Sequence, residues 1–142
     1  MKIGIGSDHG GYQLKQALIS HYASKNVKLI DYGTDSEESC DYPDIAEGVC
    51  NDMLNGKLDL AILICGAGIG MSIAANRHKG IRGAILYSDY VAKMAKEHNN
   101  ANVVIFGGRT MSLEEAARRF DIFMETKYEG GRHKIRLDKL DR

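Results

Sequence analysis

The thiol of Cys65 stands where an apolar run ends and a glycine-rich loop begins. The run is Leu60 to Cys65, the loop is Gly66-Ala67-Gly68-Ile69-Gly70, and a helical stretch follows from Met71 to Asn76. This order of strand, turn and helix places free backbone N–H groups beside the thiol, and such a nest stabilises a developing anion. A helix N-terminus also stabilises a thiolate. The pattern therefore indicates a base beside an oxyanion site, as in proton abstraction alpha to a carbonyl.

Both parts of this pattern have a structural alternative. Free cysteine is among the most buried residue types, so Cys65 also fits an inert strand thiol. The loop also fits a tight turn that needs small residues. It does not match the dinucleotide fingerprint, because the third glycine of that fingerprint would fall at Met71. The turn after the first strand is misspaced too, so NAD binding is disfavoured.

Polar residues also follow the first and the last apolar run. Asp8 and His9 lie in Ser7-Asp8-His9-Gly10-Gly11, and Arg109 lies in Gly107-Gly108-Arg109. Asp8 and His9 are candidates for binding sugar hydroxyls or phosphate, although Asp8 is equally a cap for the next helix. Ligands of parallel sheets bind at the carboxyl ends of the strands. We therefore expect these residues and Cys65 to meet at one edge of a sheet.

The second half of the chain carries basic candidates. Arg132, His133 and Arg136 share a helical face at i, i+1 and i+4, a spacing that suits a phosphate clamp, although basic runs are more often solvated. His98 ends a helical stretch, where a cationic side chain also complements the helix dipole.

Composition limits the classes of function. Nineteen basic and nineteen acidic residues balance, so no global field favours nucleic acid or an anionic membrane. The N-terminus starts with a short apolar strand and shows neither a signal peptide nor a membrane span. Three cysteines, Cys40, Cys50 and Cys65, leave one unpaired and show no metal-binding spacing. These features predict a cytoplasmic protein with a single domain over residues 1–142.

Strand and helix patterns alternate five times along the chain, which predicts a five-stranded parallel α/β sheet. Ser112 and Glu115 form a capping-box pattern before the last long helix, and a short basic helix follows a glycine break after Tyr128. That short helix has few apolar residues, so we expect it to pack on a partner subunit. The predicted strands are Lys2 to Ile5, Lys28 to Tyr32, Leu60 to Cys65, Arg82 to Tyr87 and Val103 to Phe106. The predicted long helices are Tyr12 to Ser24, Ile45 to Leu54, Met71 to Arg77, Asp89 to His98 and Ser112 to Tyr128.

Taken together, seven motifs closely resemble the RpiB/LacAB sugar-phosphate isomerase family, in particular its B-type ribose-5-phosphate isomerases, over nearly the whole chain. The motifs are Gly6-Ser7-Asp8-His9-Gly10-Gly11, Asp41-Tyr42-Pro43, Ile64-Cys65-Gly66-Ala67-Gly68-Ile69-Gly70, Ala74-Ala75-Asn76-Arg77, Glu97-His98-Asn99, Phe106-Gly107-Gly108-Arg109 and Tyr128-Glu129-Gly130-Gly131-Arg132-His133.

The resemblance implies a single Rossmann-like three-layer α/β/α domain and interconversion of D-ribose 5-phosphate and D-ribulose 5-phosphate. It also implies a homodimer or homotetramer with interfacial active sites, and neither cofactor nor metal. Cys65 would remove the C2 proton, and His98 would assist ring opening. The implied substrate-binding residues are Asp8, His9, Tyr42, Gly66, Ala67, Gly68, Ile69, Gly70, Asn99, Arg109, Arg132 and Arg136.

Two positions define the subgroup. Many cysteine-type relatives carry threonine where this chain has Ala67, and that hydroxyl is thought to share in ring opening. A second subgroup uses glutamate as the base at the position of Met71, so this chain resembles the cysteine type. A hexose 6-phosphate isomerase (allose or galactose 6-phosphate) and a non-catalytic binding module for sugar phosphates or nucleotides remain the alternatives.

Overall fold

The computed structural model describes residues 1–142. The five strands are Ile3–Ser7 (β1), Leu29–Asp31 (β2), Leu60–Cys65 (β3), Gly83–Ile85 (β4) and Val103–Gly107 (β5). The six α-helices are Tyr12–Ala23 (α1), Tyr42–Leu54 (α2), Ile69–Asn76 (α3), Asp89–Glu97 (α4), Leu113–Glu125 (α5) and Arg132–Leu140 (α6).

All strand pairs in the sheet are parallel, in the order β2-β1-β3-β5-β4. The predicted α/β fold with five parallel strands is confirmed. The chain goes from β1 outward to β2 and then returns to place β3 on the other side of β1, so the strand order reverses between β1 and β3. Ligand sites of open α/β sheets lie at such a reversal, beyond the carboxyl ends of the strands.

Two apolar clusters fill the space above and below the sheet. The larger cluster joins one sheet face to α1, α4 and α5, with Leu18, Ala92 and Phe120 buried in it. The smaller cluster joins the opposite face to α2 and α3 through Val49 and Met71. The layers are therefore helix, sheet and helix, and no residue of α6 belongs to either cluster. No helix of the chain is long and apolar enough to span a membrane.

The predicted boundaries move most where helices begin or end. α2 starts at Tyr42 rather than at Ile45, since Pro43 occupies a first-turn position where its missing N–H costs nothing. α5 ends at Glu125 rather than at Tyr128. The capping box of Ser112 and Glu115 is confirmed, because each residue accepts a hydrogen bond from the backbone N–H of the other.

One polar side chain of α1 lies where the sequence pattern does not place it. The polar residues of an amphipathic helix usually face solvent, but Lys15 is fully buried. Its Nζ donates to both carboxylate oxygens of Asp31 at 2.8 and 2.9 Å, and it lies 5.3 Å from the centroid of the Tyr12 ring. The ion pair lets a charged side chain enter the interior and ties α1 to the end of β2.

Candidate active site

Three loops meet at the carboxyl edge of the sheet. The carbonyl oxygens of Cys65 and Gly66 accept hydrogen bonds from the N–H groups of Gly108 and Arg109 at 2.8 and 2.9 Å. A side chain at Gly108 would collide with the carbonyl oxygen of Gly10. The loops after β1, β3 and β5 are therefore held in backbone contact, and they bring together the candidates that the sequence places at these strand ends.

The thiol of Cys65 is 6% exposed and borders this edge at the end of β3. This position is compatible with an inert buried thiol and also with a catalytic base, since a base that removes a proton from carbon works best when it is shielded from bulk water. Cys50 makes a useful contrast, because it lies in the interior of α2 and burial raises the pKa of its thiol to about 11. Cys65 is the buried thiol that adjoins the loops.

The backbone of the glycine loop offers a row of hydrogen-bond donors. None of the N–H groups from Gly66 to Met71 donates to a backbone acceptor, and the first to do so is that of Ser72, to the Gly68 carbonyl at 3.0 Å. Gly68 has a φ of 86°, which turns the chain into α3 and which other residues adopt only with strain. Free N–H groups beside a helix N-terminus form an anion site.

Asp8 and His9 begin the loop after β1. The Asp8 carboxylate accepts from the N–H of Gly10 at 2.9 Å, so the capping role that the sequence left open is present. The Nδ1 atom of His9 accepts from the N–H of Cys40 at 3.3 Å, which leaves Nε2 of the neutral ring as an N–H donor.

A cavity of about 230 Å³ with no hydrophobic residue in its lining lies beside His9 and opens between the loops. It is lined by His9, Gly10, Gln13, Glu37, Gly108 and Arg109. The guanidinium of Arg109 also lies over Gly66, since a Cβ built there would be 3.0 Å from its Nη1 atom. The cavity could accept an anionic group. Sequence reasoning missed Gln13 and Glu37, whose spacing carries no signal of a site.

Tyr42, the first residue of α2, covers the other side of the glycine loop. A Cβ built on Gly70 would lie 2.7 Å from the Tyr42 ring, so the ring rests against the backbone of α3. The tyrosine is 36% exposed, and its position suits a side chain that lines a pocket over the loop.

The four remaining candidates lie at the opposite edge of the sheet. His98 is the C-cap of α4 and precedes β5, whereas Cys65 pairs with Gly107 at the far end of β5. A strand of this length spans roughly 15 Å. Asn99 lines a cavity of about 290 Å³ that also contacts Leu137 of α6. A single chain therefore does not bring His98, Asn99, Arg132 and Arg136 to Cys65.

The predicted basic face of α6 is only partly present. Arg132 and Arg136 are exposed, but His133 is 5% exposed and turns inward. Its ring stacks on that of His98, with centroids 4.1 Å apart and an angle of 14° between the planes. Burial, followed by the nearby His98 and Arg132, lowers the pKa of His133.

His98, His133 and Glu129 are also the group that comes nearest to a metal site, since their ligand atoms lie within 4.8 Å of one another. The two rings are nearly parallel, so their nitrogen lone pairs run side by side instead of converging on one point as metal coordination requires. The spacing of Glu129 and His133 at i and i+4 was the available sequence signal for this group.

Comparison with known proteins gives a consistent result. The sequence model of the family described as "Ribose/Galactose Isomerase" matches residues 3–140. A ribose-5-phosphate isomerase B from Escherichia coli is 42% identical over 139 residues, which are 98% of this chain and 93% of the relative.

Solved structures agree with this. A ribose 5-phosphate isomerase from Thermotoga maritima superposes with a TM-score of 0.96 at 44% identity, over 99% of this chain and 97% of the other. A ribose-5-phosphate isomerase B from Mycoplasma genitalium with bound ribulose 5-phosphate gives a TM-score of 0.92 at 38% identity, over 99% and 94% of the two chains. The chain belongs to the LacAB/RpiB family of ribose and galactose isomerases.

Proposed function

We propose that this chain is an aldose–ketose isomerase that interconverts D-ribose 5-phosphate and D-ribulose 5-phosphate through a cis-enediolate, without a cofactor. The observation that carries the proposal is the thiol of Cys65 beside a row of free N–H groups. The activity and the ligand that name the Escherichia coli and Mycoplasma relatives support the same reaction for a chain this similar.

Cys65 acts as the base in this proposal. Its thiolate takes the proton from C2 of the open-chain aldose, and the electron pair of that C–H bond becomes the C1–C2 double bond of the enediolate. The negative charge that develops on oxygen is met by the N–H groups of Gly66, Ala67, Gly68, Ile69 and Gly70, which are already in place and need no reorganisation. The hydroxyl proton on O2 passes to O1 within the cis-enediolate, and return of the carbon-bound proton to C1 then gives the C2 carbonyl of the ketose and regenerates the thiolate.

The polar cavity beside the loop takes the phosphate. His9 offers its Nε2 N–H there, and Arg109 offers a guanidinium that can bind two phosphate oxygens at once. Asp8 and Tyr42, which flank the glycine loop, hold the sugar hydroxyls. These residues supply one half of the site from one chain.

The other half comes from a second copy. His98 opens the furanose ring, Asn99 holds a hydroxyl, and Arg132 and Arg136 complete the phosphate clamp, although all four lie at the wrong edge of their own sheet. Ile135 and Leu140 of α6 are 60% and 65% exposed, so this helix has apolar surface that its own chain leaves uncovered. A homodimer that places α6 beside the partner's carboxyl edge covers that surface and unites the site.

Complementation between two inactive variants tests the two-chain site. Cys65→Ala and His98→Asn are each expected to be inactive as homodimers. When the two are co-expressed, the mixed dimer contains one site that is damaged in both halves and one site that is intact. Random pairing of a symmetric dimer then restores roughly a quarter of the normal number of sites.

The matched control combines Cys65→Ala with Arg109→Ala, two changes in the same half of the site. Their mixed dimer has no intact site, so activity stays near that of the variants alone. Recovery by both pairs, or by neither, would contradict the assignment of His98 to the second chain.

The choice of sugar is tested with ribose 5-phosphate, allose 6-phosphate and galactose 6-phosphate in parallel, with ketose formation followed over time and no cofactor added. The pentose is expected to react fastest. Faster reaction of a hexose would reassign the substrate within the family, and binding without turnover of any of them would indicate a binding module. Ala67 is exposed, so Ala67→Thr adds the hydroxyl found in many relatives without a steric conflict.

A further inference from the structure

His133 has no assigned role in the proposed reaction, although its ring stacks on that of His98. His133 is almost wholly buried, yet its Nε2 atom has no hydrogen-bond partner. The nearest acidic atom is a carboxylate oxygen of Glu129 at 3.7 Å. A buried polar atom without a partner is costly, and such groups concentrate where a structure serves a chemical purpose.

The backbone holds this pair in place. The N–H of Glu129 donates to the carbonyl of Glu97 at 2.9 Å, and the N–H of His133 donates to the carbonyl of Gly130 at 3.1 Å. The connection between α5 and α6 is thus fastened to the last residue of α4. This contact sets the position of the His133 ring against His98 without help from the apolar core.

The charges around the two rings come from three elements. Glu97 of α4 lies 3.8 Å from Nε2 of His98, and Glu129 of the connection lies 3.7 Å from Nε2 of His133. Arg132 and Arg136 of α6 add positive charge near His133. Two imidazoles in face contact repel each other when both are protonated, so the pair takes up its protons in two separated steps.

We propose that His133, anchored through Glu129, is a positioning residue that orients the ring of His98 and directs the first proton of the pair onto it. The proposal deepens, and for its chemistry rests on, the proposed isomerase function. His133 is the ring that is desolvated and flanked by arginines, while His98 is about one-third exposed and has Glu97 beside it. Desolvation and neighbouring positive charge both disfavour a proton on His133.

A protonated His98 is what ring opening requires. As the C1–O4 bond of the furanose breaks, O4 takes a proton from His98, and the proton of the C1 hydroxyl leaves to water. His98 then regains its proton from solvent. A ring fixed by stacking keeps its N–H directed at O4, and this orientation determines how well a general acid works.

His133→Phe and Glu129→Gln separate proton sharing from support of the fold. Phenylalanine keeps a stacked ring but never takes a proton, so the titration midpoint of His98 is expected to stay near its original pH and the second protonation step of the pair to disappear. Glu129→Gln replaces an exposed carboxylate, leaves the fold intact, and is expected to move that midpoint to lower pH. Histidine resonances followed by NMR give the midpoints directly, and the alkaline limb of the kcat/KM profile, where His98 loses its proton, should move to lower pH in Glu129→Gln.

A first protonation step on His133 in the unmodified protein, or an unchanged midpoint of His98 in folded Glu129→Gln, would overturn the inference, whatever the activity. If the NMR midpoints shift as expected while the unmodified protein isomerises no sugar phosphate, the proposed function fails but the coupling of the two rings stands. Lys139→Met is the control, because it removes a charge from α6 at a position away from both rings and should leave the midpoint of His98 unchanged.

Discussion

The two edges of the sheet are built in different ways. At the carboxyl edge, the loops after β1, β3 and β5 touch through backbone atoms, and Cys65 and its glycine loop are tied to Gly108 and Arg109. At the amino edge, His98 ends a helix and packs against α6, which contributes nothing to either core cluster. The edge with the proposed base is held by backbone hydrogen bonds between loops, whereas the edge with the proposed clamp depends on a helix that lies outside both core clusters.

This difference agrees with a division of labour between the edges. Oxyanion stabilisation needs donors that are fixed before the reaction, and the backbone of the glycine loop provides them. The proposed phosphate clamp needs charge that reaches into the site of a second copy, and α6 carries Arg132 and Arg136 on an exposed face. Gly130 and Gly131, with φ of 71° and 57°, turn the chain sharply between α5 and this helix.

The largest effect is expected at the carboxyl edge from Cys65→Ala. Loss of the base should lower kcat by roughly 10²-fold to 10⁴-fold while ligand binding and fold persist, because proton transfer depends on this group. Steady-state kinetics and ligand titration measure the two quantities. Cys50→Ala removes a thiol far from the loops and should keep its turnover. A Cys65→Ala enzyme with near-normal kcat would exclude the thiol as the base.

A smaller effect is expected at the amino edge from Arg136→Ala. A lost charged contact to phosphate should raise KM roughly tenfold or more and leave kcat nearly unchanged, since phosphate is held equally in the ground and transition states. Lys139→Ala, which removes another exposed cation of α6, serves as the control. If both variants keep the original KM, α6 does not bind phosphate, and the proposed difference in function between the two edges is wrong.

Gly70→Ala probes the fit of Tyr42 to the loop. The added methyl would meet the Tyr42 ring at 2.7 Å and push it aside, so KM should rise a few-fold, on the order of the loss from one weakened contact. Gly48→Ala in α2 adds a methyl where no atom lies within 4 Å, and there helix propensity should stabilise the fold by about 1 kcal/mol. Equal kinetics in the two variants would show that Tyr42 has no part in substrate binding.

The smallest effect on catalysis is expected from Lys15→Met, which concerns the support of the carboxyl edge. Asp31 loses its buried partner but is 39% exposed and stays hydrated, so stability should fall by about 2 kcal/mol with kcat little changed. Chemical denaturation measures the free energy of unfolding. Lys57→Met breaks an exposed pair with Asp52 at 3.8 Å and should cost less than about 0.5 kcal/mol. Similar costs for the two variants would show that burial adds nothing to the Lys15 pair.

The sequence pattern alone predicted those elements whose signal lies within a single segment of the chain. The apolar run from Leu60 to Cys65 predicts β3 with both ends correct, and Ser112 with Glu115 predicts the start of α5. Local pattern does not reveal the burial of Lys15, because that burial depends on Asp31, sixteen residues away on another element. Polarity alone cannot show that a charge has a partner. The alternation of strands and helices along the chain likewise does not specify the strand order β2-β1-β3-β5-β4.

The sequence by itself determined the fold class, the junction of thiol and glycine loop, and the family, since each depends on residues close together in the chain or on motifs in fixed order. The tertiary structure decided how the candidates are divided in space. It placed Asp8, His9, Cys65 and Arg109 at one edge and His98 at the other, and it turned His133 inward onto His98. The physical reason is that helices run antiparallel to the strands of a parallel sheet, so a residue that ends a helix and one that ends a strand lie at opposite edges.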